Sequence, residues 1–376
     1  MTRMTERRDV IVVGGGQAGL AIGFFLAKQG RSFTILEAAG EPAAAWRGRW
    51  DSLRLFTPAR YDGLPGKQFS GDPDRYPGRD DLVAYLTGYA RDFGLPVELS
   101  SPARSIRAGE AGYLVELDGR AYEAEQVVIA TGPFQVPRMP AIAEGLDSGV
   151  VHFHSSDYRS PAAIPPGRVL VVGGGNTGFQ IAEELSATHE VHLAIGSRQM
   201  PLPQTIFGRD AFRLLEATRL MYKTRDSRIG RRMQGRETLV GYSPRKLRRR
   251  NGVRLRPRAT DASGTTVTFE DGTTMTVSAV IWATGFGVDH SWIDAPIFDA
   301  QGNVMHQRGV TASPGLYFLG LQWLHTRGSA LLGWVGHDAQ YLAEQIDSFA
   351  PTRRSVSPPA AGQSFAPHRS EEEVPS

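Results

Sequence analysis

The sequence predicts an α/β protein built of two Rossmann-like, three-layer nucleotide-binding domains, the second inserted within the first. Three observations carry this. An apolar run at residues 9–13 (DVIVV) passes straight into GGGQAG and a helix-like segment. The same order returns 159 residues later, where RVLVV at 168–172 runs into GGGNTG. Two further apolar strands, 126–130 and 279–283, lead into Ala-Thr-Gly. A short buried strand, a glycine turn and a helix form the unit that sets a helix N-terminus against a phosphate.

Residues 17–29 are apolar on almost every side (Leu20, Ile22, Phe24, Phe25, Leu26), so the first helix is expected to be buried. Gly30 ends it, and 32–36 (SFTIL) reads as the second strand. A Trp/Arg/Pro-rich loop at 43–77 precedes a helix over 80–93 and short strands about 113–117. In the second unit a helix runs from 176 to about 187 and a strand spans 191–195. After the second Ala-Thr-Gly come a strand at 316–320 and a helix expected over 329–349. From 350 onward Pro, Ser and Arg dominate, which reads as a disordered tail over 351–376. The first domain would then comprise 1–158 and 286–350, and the inserted one 159–285.

Gly14, Gly16 and Gly19 form the first GxGxxG, with Gln17 and Ala18 opening the helix. The first glycine permits the tight turn, the second admits a pyrophosphate, and the third lets helix and strand pack closely. Glu37 stands 18 residues past Gly19, at the end of the second strand, where a carboxylate accepts ribose hydroxyls. Gly173, Gly175 and Gly178 repeat the device, with Asn176, Thr177 and Gln180 in the first turns of the second helix. There the acid is replaced by Gly196, followed by Ser197 and Arg198. A carboxylate would repel a 2′-phosphate and an arginine pairs with it, so the second unit reads as an NADPH site. Two units in one chain call for different ligands, and a tightly held FAD beside an exchangeable NADPH lets hydride pass between rings. Thr131, Gly132, Thr284 and Gly285, in the two Ala-Thr-Gly turns, put a glycine where the backbone runs close to a cofactor or crosses between domains.

Composition narrows the rest. With 41% apolar and 22% charged residues the chain is globular. It contains no cysteine, which removes disulfides, thiolate metal sites and the redox dithiol of reductases that pass electrons through sulfur. No run approaches the ~18 apolar residues of a membrane span, and the N-terminus has no apolar signal segment, so a cytoplasmic location is expected. No metal site is expected. Between Arg219 and Arg258 lie fifteen Lys or Arg against two acids, Asp226 and Glu237. This is a solvated face, a funnel for an anionic cofactor or substrate, or a docking face; without interleaved aromatics, nucleic acid is not the expected partner.

The ordered series GGGQAG, AWRGRWDSLRLFTP, the first ATG, FHSSDYRSP, GGGNTG, SR and IWATGF resembles the flavin-containing monooxygenases. It is most similar to their bacterial branch near the plant auxin-forming enzymes, and more distantly to the Baeyer–Villiger enzymes. The resemblance implies FAD reduced by NADPH, then reaction with dioxygen to a 4a-peroxyflavin that delivers one oxygen atom to a small amine, sulfide or carbonyl substrate. It assigns His154 and Tyr158 to the family's histidine-centred fingerprint, although Gly149 lies five residues before the histidine rather than four. Trp46 and Arg47 match the WR near the flavin, with Ala43 and Ala44 where glycines are usual. Thr57-Pro58 stands where amine-oxidising members carry Thr-Asn, which leaves Gln322 as the candidate replacement amide. Candidate catalytic residues are therefore His154, Gln322 and Trp50, with Trp323, His325 and Trp334 as possible pocket lining. Two rivals stay open: an NADPH-dependent flavin reductase or oxidase, favoured by Pro58, and a non-catalytic redox sensor.

Overall fold

The computed structural model describes residues 4–109, 112–197, 199–206, 208–234 and 238–349, so Arg198 and the expected tail lie outside the described residues. The chain opens with β1 (Met4–Val13), whose last four residues are almost fully buried, and α1 (Gln17–Lys28), which buries Ala18, Leu20, Ala21, Ile22 and Leu26. β2 (Phe33–Leu36) follows, then α2 (Arg79–Asp92), β3 (Val97–Glu98), β4 (Ser105–Gly109), β5 (Gly112–Glu116) and β6 (Arg120–Ile129). Asp81 closes the start of α2 by accepting from the Gly78 N–H at 2.9 Å. The acid does for the helix what a capping side chain does, satisfying a free donor at its positive end.

β6 is a long strand with two roles. Its first half pairs antiparallel with β5, and its whole length runs parallel to β1, Val13 opposite Ile129. β1 is therefore flanked by β2 on one side and β6 on the other. The crevice beyond the carboxyl end of β1 lies where strand order reverses, the place where open α/β sheets bind ligands.

The second sheet is parallel throughout: β7 (Val151–His154), β8 (Arg168–Val172), β9 (Glu190–Ala194), β10 (Arg254–Arg256) and β11 (Ala279–Trp282), in the order β10-β9-β8-β11-β7. α3 (Asn176–Leu185) packs on it and buries Phe179, Ile181, Ala182 and Leu185. β7 pairs with β11, so the chain enters the second sheet by residue 151, ahead of the boundary at 158 expected from sequence. The chain then returns to the first sheet, first at Ile293–Asp294, which pair parallel with β4, and then through β12 (Leu316–Phe318), which pairs parallel with β6.

The last helix, α4, spans Val335–Ser348. It was expected from 329, but residues 329–334 form turns instead. Gly328 and Gly333 explain this: a Cβ on Gly333 would sit 1.6 Å from the Tyr61 carbonyl oxygen, so the segment is shaped by packing under residues 57–62. No described helix is long and apolar enough to cross a membrane.

Candidate functional site: two glycine turns and their junction

At the first turn Gly14 has φ +114°, and a Cβ there would lie 2.6 Å from the Ala130 carbonyl oxygen. A Cβ on Gly19 would fall 1.9 Å from the Gly14 carbonyl oxygen. Neither position tolerates a side chain. Gly16, by contrast, faces open space at the start of α1, where N–H groups and the helix dipole favour a phosphate. Glu37 accepts from the Gly15 N–H at 2.9 Å and the Ala39 N–H at 3.0 Å. A carboxylate has further lone pairs, so the held acid still accepts from a ribose. Beside it lies a cavity of about 110 Å³, lined by Gly15, Leu20, Glu37, Pro42, Ala43 and Leu86 among others, mostly apolar and suited to a flat base. This turn fits a dinucleotide.

Trp46 donates its indole N–H to the Gln17 side chain at 3.0 Å and so ties the single helical turn Ala44–Arg47 to α1. Ala43 adopts φ +55°, the strained conformation a glycine would relieve. Arg47 pairs with Glu41 at 2.8 Å on the exposed surface, rather than reaching the crevice. Ala18 is buried and meets the loop after β12, where a Cβ on Gly320 would lie 2.7 Å from its methyl.

The second turn repeats the first. A Cβ on Gly173 would lie 2.1 Å from the Ala283 carbonyl oxygen, and one on Gly178 would lie 2.1 Å from that of Gly173. Gly175 caps α3 and Thr177 sits half-buried in its first turn. Two residues expected at the nucleotide do structural work instead. The Asn176 amide donates to the Thr238 carbonyl at 3.0 Å and accepts from the Val240 N–H at 2.9 Å. Gln180 clasps the Arg54 backbone, accepting from its N–H at 3.3 Å and donating to its carbonyl at 3.1 Å.

Beyond β9, Gly196 and Ser197 form the turn at which the sequence suggests a 2′-phosphate contact. Arg258 lies against this turn, its guanidinium carbon 3.2 Å from where a Gly196 Cβ would be, and it donates to the Gly196 carbonyl. Sequence reasoning missed it. Arg254, Arg256 and Arg258 alternate along one segment, and only the pairing of β10 with β9 shows which one reaches the turn. Arg254 is taken by Glu190, and Arg256 by His192 and the Phe269 ring. Among the described residues Arg258 has no acid partner.

The two Ala-Thr-Gly turns come together between the sheets. Gly132 and Gly285 have φ +71° and +80°, with open space where a Cβ would stand. The Thr131 hydroxyl accepts from Gln135 at 2.8 Å, and the Thr284 hydroxyl donates to the Arg138 carbonyl. His154, at the end of β7, is 3% exposed. Its Nδ1 accepts from the Ser156 N–H at 3.1 Å, which leaves Nε2 to donate to the Gly285 carbonyl at 2.9 Å. Burial holds its pKa below the usual histidine value, so the ring stays neutral and braces the second crossing.

Trp50 is buried in the core of the second domain with Leu53, Tyr158 and Phe179, its indole N–H without a partner. Gln322 is exposed on the loop before Leu324. Among the described residues, neither side chain hydrogen-bonds to or stacks on a residue of the junction. Trp334 packs with Tyr61 and Phe212 and donates to Glu216 at 2.7 Å. The His325 N–H is taken by buried Ser329 at 3.0 Å, and its carbonyl by the Arg225 N–H at 2.8 Å. Thr57 gives a residue that sequence did not flag: its hydroxyl donates to Asp62 at 2.5 Å. Asp62 is 1% exposed, its second oxygen has no partner, and burial pushes its pKa up to about 7.

A family model described as pyridine nucleotide-disulphide oxidoreductase matches residues 11–204. A flavin-containing monooxygenase from Stenotrophomonas maltophilia superposes with a TM-score of 0.77 at 30% identity, covering 92% of this chain and 99% of that one. The chain belongs to this family, among its flavin-containing monooxygenases. It is 41% identical over 340 residues to an uncharacterized oxidoreductase, CzcO-like, of Geobacillus kaustophilus, covering 90% of this chain and 98% of that protein. Indole-3-pyruvate monooxygenase YUCCA8 of Oryza sativa is 26% identical over 388 residues, covering 89% and 90% respectively. The chain is thus a flavin-dependent oxidoreductase. The family's dithiol is absent, since the chain holds no cysteine.

Proposed function

We propose that the protein is an NADPH-consuming, FAD-dependent monooxygenase that places one atom of dioxygen in a small organic substrate, an amine, sulfide or carbonyl compound. In balance, substrate, dioxygen, NADPH and a proton give oxygenated substrate, NADP+ and water. The observation that carries this reading is the convergence of two glycine-turn nucleotide sites on one junction, in a chain with no cysteine to take electrons onward. When bound, FAD supplies two-electron transfer from the nicotinamide and the activation of dioxygen.

The protein's own residues bind and shield. Glu37 holds the adenosine ribose at the first turn, and the α1 N-terminus faces the pyrophosphate. Ser197 and Arg258 take the 2′-phosphate at the second, with Arg198 as a third contact in the sequence reading. His154 fixes the Gly285 crossing between the two. Residues 211–225 reach back from the second domain to the first: Thr224 bridges to Thr326, and Phe212 stacks on Phe56 at 6.1 Å. The segment thereby lies as a partial cover over Phe56 and Thr326 of the first domain.

Pro58 favours a second reading, a reductase or oxidase that passes electrons to a quinone or to dioxygen. It offers no backbone N–H and no side-chain amide at the position where amine-oxidising members carry asparagine. Aerobic turnover under labelled dioxygen, with amines, sulfides and ketones and product mass as readout, separates the two. Labelled product supports the monooxygenase. Hydrogen peroxide equal to NADPH consumed, with every substrate, supports the oxidase.

A further inference from the structure

Arg49 is left unexplained by either nucleotide turn. It follows Trp46 and Arg47 in the loop from the first domain, and its guanidinium lies 4.9 Å from the centre of the Phe286 ring and 5.9 Å from that of Phe134. Phe134 follows the first Ala-Thr-Gly and Phe286 follows the second, and the two rings meet edge to face at 5.7 Å. The edge of Phe286 also meets His154 at 4.8 Å. Arg49 therefore sits at the junction itself.

Its surroundings lack an anion. Among the described residues no oxygen accepts from its guanidinium N–H groups and no acid pairs with it. The nearby charges that act on it are of its own sign: Arg159 works with burial to lower its pKa, and Arg49 in turn helps to lower that of His154. Two aromatic faces return only part of the hydration such a cation gives up. Withdrawing an ion from water is costly even when it is partial, and a guanidinium stays charged at any working pH. The balance is restored by an anion that joins the site.

We propose that Arg49 anchors the carboxylate of an anionic substrate, an organic acid with an aromatic or apolar body, at the meeting point of the two Ala-Thr-Gly crossings. The planar fork of arginine matches the two oxygens of a carboxylate. The phosphates of the dinucleotides have their own places at Gly14–Gly16, Gly173–Gly175 and the Ser197/Arg258 turn. Phe134, 53% exposed at the rim, gives the body of the acid an apolar surface to lie on. The inference rests on the monooxygenase reading only in taking this junction as the place where substrate meets FAD.

The test is calorimetric binding to the FAD-loaded protein with NADP+, without turnover. Phenylacetate, 3-phenylpropionate and phenylpyruvate are each compared with their methyl esters. At least one acid should bind ten- to a hundredfold tighter than its ester, as the loss of a charge-assisted contact implies. Arg49→Gln should abolish that preference, and Arg49→Lys should keep part of it. FAD content and the NADP+ dissociation constant should be unchanged in both, which shows that the variants are folded. The proposal is overturned if no acid is preferred over its ester, if Arg49→Gln keeps the preference, or if Arg49→Gln weakens NADP+ and leaves the acids alone. Binding needs no oxygen transfer, so a failed oxygen-incorporation assay would sink the monooxygenase reading and leave this result standing.

Discussion

Asp62→Asn is the perturbation whose size follows most directly from the structure. Asp62 is 1% exposed, one oxygen bonded to Thr57 and the other without a partner, and burial pushes its pKa up from 3.8 to about 7. The folded protein thus holds this proton more tightly than the unfolded chain. Its stabilising contribution is complete below about pH 4 and is lost as pH rises through about 7. Between pH 5 and pH 8 the loss amounts to about 2–3 kcal/mol, from roughly two pKa units at 1.36 kcal/mol each. Asparagine keeps the shape and the acceptor for Thr57 but does not titrate, so any cost of its amide is the same at every pH. In melting experiments on the FAD-loaded proteins, the variant should therefore gain on the wild type by about 2–4 °C from pH 5 to pH 8. Parallel curves over that range would refute the claim that Asp62 is protonated in the fold.

Other substitutions test the nucleotide turns. Glu37→Ala should lower the FAD content of the purified protein, since charge-assisted contacts to the ribose are worth about 1.5–3 kcal/mol each; unchanged FAD content after dialysis would contradict this. Arg258→Ala should raise the dissociation constant for NADPH on the order of tenfold or more and leave that for NADH nearly unchanged, with equal effects on both excluding it as the phosphate reader. Arg198→Ala in the same assay separates the contribution of the residue singled out from sequence. Asn176→Ala removes two bonds to the Thr238–Val240 backbone and should lower stability by about 1–3 kcal/mol, measured by denaturant unfolding.

The nucleotide turns were legible because their chemistry is local. Close packing of a strand against a helix demands glycine at Gly14, Gly19, Gly173 and Gly178, and collisions below 3 Å at each show why. The split of the first sheet around the second was readable from two strand–turn–helix units and the return strand. What stayed hidden depends on register and on contacts between distant segments. Arg258 reaches Gly196 across 62 residues, and nothing in an arginine-rich run distinguishes it from its neighbours. Asp62 looks like any loop aspartate until the turn at Gly333 closes over it. Asn176 and Gln180 have the right positions for a nucleotide but spend their amides on the backbone of Thr238, Val240 and Arg54. The start of α4 at Val335 was misplaced because the packing of Gly328 and Gly333 overrides the helical pattern before it.

The central claim is that electrons from NADPH leave this protein by oxygenating a substrate. Turnover under 18O-labelled dioxygen, with organic acids carrying a carbonyl or sulfide included in the panel, tests it most directly. The account predicts one labelled oxygen per product molecule and less than one hydrogen peroxide per NADPH oxidised. Unlabelled products throughout, with peroxide accounting for all the NADPH, would contradict it.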